Sequence, residues 1–256
     1  MLDATDKRVA EDSVPSHSRT SIQREYPFIK RKVRELTAID LDNYKSRQMQ
    51  RRLNALLARS DHSSWKEYFR HLKSHPATLR AFKNYLTINV SKFFRDTPKW
   101  TYLADQVIPG LLDQRRRLRV WSAGCSHGAE AYTLAIIMDQ LQGGRGGHYI
   151  LATDMDLDML SRGKQGGPYS REDIEDMDEA WLLRYFQKRD GAYWVGPSLR
   201  PRVRFRQHDL FKDPFEKNFD LIVCRNVVIY FIEESKRKLY RRLAASLRLG
   251  GILFVG

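Results

Sequence analysis

The sequence predicts an α/β protein: a doubly wound, mostly parallel sheet preceded by a small all-helical domain. Three observations carry that expectation. Residues 117–130, RLRVWSAGCSHGAE, run from a β-favouring stretch through a glycine-punctuated loop into the start of an apolar helix. Four further β-favouring stretches follow, separated by helical patterns, the alternation expected of parallel βαβ units with right-handed crossovers. Ahead of residue 97 the only periodic patterns are helical.

In chain order, residues 1–22 are polar without sustained periodicity and are expected to form an unstructured arm. A helix is expected over 27–35 and a second over 44–59, capped by Asp40 or Asp42. In the second, Met49, Leu53, Leu56 and Leu57 fall at i, i+4, i+7 and i+8, one buried stripe. Lys45, Arg47, Arg51, Arg52 and Arg59 spread over its remaining surface, as either a solvated face or a docking face for an acidic partner. Ser63 or Ser64 caps a third helix, 65–73, and Pro76 opens a fourth over 77–87. Residues 86–96, LTINVSKFFRD, place Asn89, Ser91 and Arg95 beside Phe93 and Phe94. In a segment between domains that mixture can line a cleft. The helical domain with this segment is expected over 23–96 and the α/β domain over 97–256, opening with a helix at 100–113.

The first strand is expected at 117–123. Gly124 and Gly128 end it, and a helix covers 129–142. The second strand, 148–154, ends in Asp154. Helices follow at 156–163, 171–178 and 179–187, then a short strand at 192–195 and a third sheet strand at 203–209. Residues 220–226, DLIVCRN, form a continuous apolar run, which suits a parallel strand covered on both faces. A helix over 233–248, closed by Gly250 and Gly251, precedes a last strand at 252–255. In such a sheet the ligand crevice lies beyond the strand carboxyl ends, near the switch in strand order. Four points map there: residues 124–130, Asp154, Asp209 with Leu210, and residues 224–230. The spacing G-x-x-x-G is not the dinucleotide fingerprint. A glycine loop with an acid ending the next strand instead favours an adenosine-type ligand, its ribose hydroxyls held by the acid.

Composition narrows the setting. Hydrophobic residues make up 42% of the 256, enough for a sizeable core, and no apolar run approaches the roughly 20 residues of a membrane span. The start, MLDATDKRVAEDS, lacks the apolar centre of a secretory signal. The two cysteines, Cys125 and Cys224, fall in or beside strands rather than in a disulfide pattern, so a cytoplasmic setting is expected. The net charge of +14 is uneven: the first 100 residues carry 21 Lys and Arg against 11 Asp and Glu. Such a front third suits nucleic acid, an anionic membrane surface or an acidic protein. Cys125 and His127 are two residues apart, but two ligands do not make a metal site, and no metal is expected.

Five segments, NVSKFFRD, RVWSAGCSHGAEAYTLA, ILATDMD, HDLF and FDLIVCRNVVIYF, together resemble the CheR-type chemotaxis receptor methyltransferases. They occur in that family's order, and the resemblance runs from about residue 25 to the end. It implies a Rossmann-like domain binding S-adenosyl-L-methionine, with S-adenosyl-L-homocysteine as product, behind a small helical domain. It further implies transfer of the methyl group to glutamate side chains on the cytoplasmic helices of chemoreceptors. By motif, Asn89, Ser91 and Arg95 face the cofactor from the interdomain segment, beside Gly124. Glu130 lies near the methionine end and Asp154 binds the ribose. Asp209 and Leu210 flank adenine, and Arg225 with Asn226 closes the site. Tyr230 sits with Arg95 by the transferred methyl, and this pair is the expected catalytic set. The cations of 44–59 then become the receptor contact. A monomer is expected, with no nucleic-acid partner and no membrane insertion.

The chemistry agrees. A glutamate side chain, with a pKa of about 4.3, is already a nucleophile at neutral pH, so no general base is required. Departures from the family pattern are HGAEAYT over residues 127–133, where one of two acids is lost and His127 replaces a small hydroxyl, and Asn89-Val90-Ser91, where the hydroxyl is kept. The family's β-subdomain falls near 185–206 and is short here. The chain stops at Gly256, where the family continues with His-Ser-Glu and an antiparallel hairpin, so an exposed sheet edge is expected. Two other readings compete: a cofactor-binding signalling module without turnover, and a nucleic-acid methyltransferase. The latter lacks both an N-P-P-[YF]-like tetrapeptide and a cysteine-nucleophile motif after the fourth strand.

Overall fold

The computed structural model describes residues 16–142 and 147–255. Contacts divide the chain into two compact units, Met1–Leu79 and Arg80–Gly256. That division lies inside a helix, ahead of the boundary expected after residue 96.

In the first unit, helix α1 (Ser16–Thr37) continues through Pro27. It therefore includes residues 16–22, which were expected in the arm; residues 1–15 lie outside the described residues. The reason is that the apolar repeat starts earlier than Pro27. Ile22, Tyr26, Ile29 and Val33 are all buried at helical spacing, and their burial outweighs the proline's interruption of the backbone ladder. Asp40 caps a 3-10 turn, Leu41–Asn43, by accepting the Asp42 N–H, and not helix α2 (Ser46–Ala58), whose cap Lys45 gives no side-chain bond. Of the expected stripe, Met49 and Leu53 are buried, while Leu56 and Leu57 are half-buried. Helix α3 (Trp65–Ser74) is capped by Ser64, which accepts the Glu67 N–H; the Glu67 carboxylate in turn accepts the Ser63 N–H at 3.1 Å. Trp65, Tyr68, Phe69 and Leu72 form its buried face. Helix α4 (Pro76–Thr87) carries the chain across the division.

Beyond α4, the second unit continues with α5 (Thr97–Tyr102) and α6 (Ile108–Gln114), joined by a π turn at Leu103–Val107. Strand β1 (Arg119–Ala123) leads through the glycine loop into α7 (Ala129–Gln142). Every residue of α7 from Ala129 to Asp139 is buried, so this helix is covered on all sides rather than amphipathic. Strand β2 (Tyr149–Asp154), α8 (Leu157–Gln165) and α9 (Glu179–Tyr185) follow. A hairpin of β3 (Phe186–Arg189) and β4 (Ala192–Val195) precedes β5 (Val203–Gln207) and β6 (Phe219–Cys224). Helix α10 (Glu233–Ala244) and β7 (Leu247–Val255) complete it. The sheet order is β5-β2-β1-β6-β7, and every pairing is parallel. The chain reverses its direction of sheet growth at β1, between β2 and β6, so the crevice opens at the carboxyl ends of these three strands.

Four expectations are corrected. The helix expected over 171–178 is a single 3-10 turn, Glu172–Ile174, on whose approach the Ser170 hydroxyl accepts the Asp173 N–H. Helix α9 stops at Tyr185 because Phe186 and Gln187 pair with Val195 and Trp194 in the hairpin. Of the stretch 185–206, the hairpin, which Tyr169 joins by an isolated bridge to Tyr193, pairs apart from the main sheet, whereas residues 203–207 join that sheet. Helix α10 ends at Ala244, and Gly250 and Gly251 lie within β7 instead of capping it. Phe219 pairs with Leu247 and Leu221 with Ile252, so the intervening residues bulge, with Gly250 at φ 76°. The buried Asp220 carboxylate holds the bulge through the Arg248 guanidinium.

Gly128 has φ 89°, and a Cβ there would lie 2.7 Å from the Phe205 ring. Gly128→Ala combines left-handed strain with overpacking and is expected to lower unfolding free energy by about 2–4 kcal/mol in urea denaturation.

Candidate active site

The glycine loop is fixed by the end of β2. Gly124, at φ 82°, and Cys125 both donate their N–H to the Thr153 carbonyl, at 2.8 and 2.9 Å. Ser126 donates its N–H to Asp154 Oδ2 at 2.7 Å, and Asp156 donates to Asp154 Oδ1 at 3.0 Å. Burial pushes the Asp154 pKa up, and those backbone donors hold it back. A carboxylate offers about four lone-pair sites. The Ser126 and Asp156 N–H groups take two and the Met155 N–H also favours the ionised form, which leaves capacity for a sugar hydroxyl.

Asp156, 1% exposed, is a hub that sequence reasoning missed. Its Oδ1 caps α8 at the N–H groups of Asp158 and Met159. Its Oδ2 accepts Asn89 Nδ2 at 2.6 Å and Thr87 Oγ1 at 3.1 Å. Asn89 is therefore turned toward the frame: its amide ties the 89–96 segment to the loop after β2. An acid immediately ahead of a helix is a readable cap signal, but its second oxygen's long-range partners leave no local trace.

Glu130, in the first turn of α7, is 9% exposed and accepts Ser122 Oγ at 2.7 Å. Burial raises its pKa to about 7, opposed by the Ser122 bond and by the positive charges of Arg225 and Arg95. Those two guanidinium groups thus act on the same buried carboxyl. Arg95 donates Nη1 to the Val90 carbonyl at 3.0 Å. Arg225, 4% exposed at the end of β6, donates Nη1 to the Arg95 carbonyl at 3.0 Å and Nη2 to Asp96 Oδ2 at 2.7 Å. Its side chain therefore fastens the Arg95 segment, while its Nε is buried without a partner among the described residues.

His127 fills the centre of the loop. It is buried, and its Nε2 lies 3.0 Å from the Ser91 carbonyl, which fixes the loop to the 89–96 segment. The Tyr169 hydroxyl donates to the His127 carbonyl at 2.8 Å. Burial, then Arg162, lowers the His127 pKa, so the ring is neutral at pH 7 and Nε2 carries the donated proton. Its exchange for a small hydroxyl, noted from the sequence as a departure, is structural bracing. The Ser91 hydroxyl makes no hydrogen bond among the described residues.

The remaining expected positions lie on the strand ends. Asp209 follows β5; its Oδ1 accepts the Phe211 N–H at 2.9 Å, and its own N–H donates to Asp213 Oδ2 at 2.8 Å. Leu210 is buried, and its carbonyl accepts Arg242 Nη1. Asn226 takes φ 57° just beyond β6, and Tyr230 ends the 3-10 turn Val228–Tyr230, half-buried, with no hydrogen bond to its hydroxyl among the described residues. In the other compact unit, Lys45, Arg47, Arg51 and Arg59 are exposed and form no ion pair among the described residues, whereas Arg52 is half-buried.

Two family models cover nearly all of this architecture. The CheR methyltransferase all-alpha domain matches residues 24–87, and the CheR methyltransferase SAM binding domain matches residues 89–256. The chain belongs to the CheR methyltransferase family. It is 44% identical to a chemotaxis protein methyltransferase of Listeria innocua, over 92% of this chain and 89% of the relative. The Listeria monocytogenes protein of the same name is 43% identical over the same shares. Chemotaxis protein methyltransferase 1 of Pseudomonas aeruginosa is 34% identical over 80% of this chain and 78% of its own length.

The cofactor of this CheR domain is S-adenosylmethionine, and the donor set fits it. Its amino-acid end carries an ammonium and a carboxylate. The buried Glu130 carboxyl, the Arg95 and Arg225 charges and the unpartnered Ser126 Oγ and Arg225 Nε offer complements to both. Asp154 has the acceptor capacity for the ribose. An ammonium placed at this carboxyl would favour ionised Glu130, and affinity would then follow its ionised fraction. Binding of S-adenosylhomocysteine, measured by calorimetry, is expected to weaken as pH falls below about 7, approaching tenfold per pH unit. Glu130→Gln is expected to bind weakly and to lose that pH dependence.

Proposed function

We propose that this CheR family member is a protein-glutamate O-methyltransferase acting on the cytoplasmic helices of chemoreceptors. The observation that carries the proposal is Arg95, whose main chain is clamped and whose half-exposed guanidinium gives one hydrogen bond to Val90. A guanidinium has five N–H donors, so most of the fork is available to a carboxylate presented from outside. No basic catalyst is needed by a nucleophile that is already ionised, and the surroundings offer none: His127 Nε2 serves Ser91, and Glu130 is buried on Ser122.

When bound, S-adenosylmethionine supplies a sulfonium methyl already activated for attack. The chain's own residues then have three tasks. Glu130 and Asp154, with Asn226 and the Asp209–Leu210 turn around them, hold the cofactor. Arg95 holds the incoming glutamate by charge-assisted hydrogen bonds, and Tyr230 orients it. Near-attack placement at roughly 3 Å and exclusion of water supply the acceleration. The exposed cations Lys45, Arg47, Arg51 and Arg59, with Arg52, give a glutamate-rich helix a complementary surface.

The test is transfer of labelled methyl from the cofactor to receptor cytoplasmic fragments, with RNA and DNA as controls. Base-labile label on receptor glutamates supports the proposal; label on nucleic acid, or tight cofactor binding without any transfer, overturns it. Arg47→Glu with Arg51→Glu is expected to raise the receptor KM about tenfold at low salt, with kcat unchanged. The difference is expected to shrink at 0.5 M salt.

A further inference from the structure

Asp96 was not among the residues expected to act, yet the 93–96 segment is built around it. Phe94 and Asp96 both lie in the left-handed region, at φ 50° and 60°. Such conformations are unfavourable for residues other than glycine, markedly so for an aromatic, and persist only where the surroundings over-determine them. Here they do. The Phe93 N–H donates to the Asp173 carbonyl at 2.8 Å and the Phe94 N–H to Thr133 Oγ1 at 3.2 Å. The Arg95 carbonyl, between the two strained residues, accepts both Trp100 Nε1 at 2.9 Å and Arg225 Nη1 at 3.0 Å. Asp96 Oδ2 completes a two-pronged grip on the same Arg225 guanidinium, which also lies 5.0 Å from the Trp100 ring centroid.

We infer that Asp96 is a positioning residue for methyl transfer: by fixing the buried Arg225 it sets where Arg95 stands in the candidate site. The inference rests on the assignment of Arg95 to the substrate carboxylate. Three features give the pair this role rather than a general structural one. The Asp96 side chain is 51% exposed, so no apolar burial depends on it. Arg225 is the side chain of a residue at the end of a central strand, a rigid reference for a strained loop. And both prongs end on residues 95 and 96, the two that lead from the Arg95 side chain into α5, whose Lys99 N–H is accepted by the Asp96 carbonyl. Asp96 also gives Arg225 a carboxylate other than Glu130, so that Glu130 remains available to the cofactor's cationic end.

The test uses Asp96→Ala and Asp96→Glu in the full chain. Asp96→Ala is expected to lower kcat for receptor methylation by about 10- to 100-fold, with the S-adenosylhomocysteine Kd within threefold of the parent and a melting temperature that falls but stays above the assay temperature, since Ala takes the left-handed φ less well and the buried Arg225 loses its carboxylate. Asp96→Glu, which can restore the ion pair, is expected to recover most of the rate. A second readout needs no substrate: amide hydrogen exchange across residues 93–100 is expected to quicken at least tenfold in Asp96→Ala and to return in Asp96→Glu. Unchanged kcat together with unchanged exchange overturns the inference, as does a loss confined to cofactor affinity. Faster exchange with parental kcat keeps the latch but removes its bearing on Arg95. A parent protein that transfers nothing to receptor glutamates, yet shows the exchange difference, overturns the substrate assignment and leaves the latch standing.

Discussion

Arg95→Ala is expected to lower kcat for methyl transfer by about 10²–10³-fold while leaving cofactor affinity nearly intact. The size follows from removing a preorganised charged donor at the reacting group, typically about 2.7–4 kcal/mol. Arg95 is preorganised because its main chain is held by Trp100 and Arg225 and its guanidinium by Val90. Loss of the side chain leaves those main-chain clamps in place, so the fold and the cofactor cradle should survive. A small secondary effect is expected through Glu130. Arg95 is one of the charges that lower the Glu130 pKa, so its removal should move that pKa further up and weaken S-adenosylhomocysteine binding a few-fold at pH 7. At pH 8.5, where Glu130 is ionised in both proteins, the Kd values should converge. Single-turnover kinetics with a receptor fragment and calorimetry at two pH values separate the two effects. Equal kcat in the variant removes Arg95 from the reaction. Arg95→Lys, which keeps the charge but not the fork, is expected to fall between.

The sheet, its helices and the rim positions were legible because they are local. β1 and the glycine loop, α7 with bounds of Ala129–Gln142, Asp154 at a strand end and the apolar β6 are periodicity and punctuation in a single stretch. What stayed hidden depends on partners distant in sequence. That the Asn89 amide goes to Asp156, and that Asp96 and the Arg95 carbonyl take the two Nη atoms of Arg225, has no local signature in either stretch. The end of α10 was misplaced for the same reason. A basic helical pattern followed by two glycines suits a C-cap, but pairing of Leu247 with Phe219 and the anchoring of Arg248 on Asp220 draw those residues into a strand. The helical start of α1 shows the converse, a proline taken as a boundary that burial of Ile22 and Tyr26 overrides.

Asp154→Ala is expected to cost the cofactor more than any other single change outside Glu130, and the cost has two sources that a second variant separates. The first is the ligand. If the carboxylate accepts both ribose hydroxyls, two hydrogen bonds to a charged group disappear, each worth about 1.5–3 kcal/mol, and the Kd for S-adenosylhomocysteine should rise at least 10²-fold. The second is the loop. Asp154 also accepts the N–H groups of Ser126 and Asp156, and orphaning them should destabilise the unliganded protein by about 1–3 kcal/mol. Ser126, held at φ 50°, would be released first, and with it the turn that Gly124 and Cys125 anchor on Thr153. Asp154→Asn retains a carbonyl acceptor for one of those N–H groups and nearly the same shape. It should recover much of the stability in urea denaturation, yet bind cofactor at least tenfold more weakly than the parent, since it keeps one neutral acceptor where two charged ones served. A variant that regains both stability and affinity would show that this acid matters only to its own loop, and the ribose would have to be placed elsewhere.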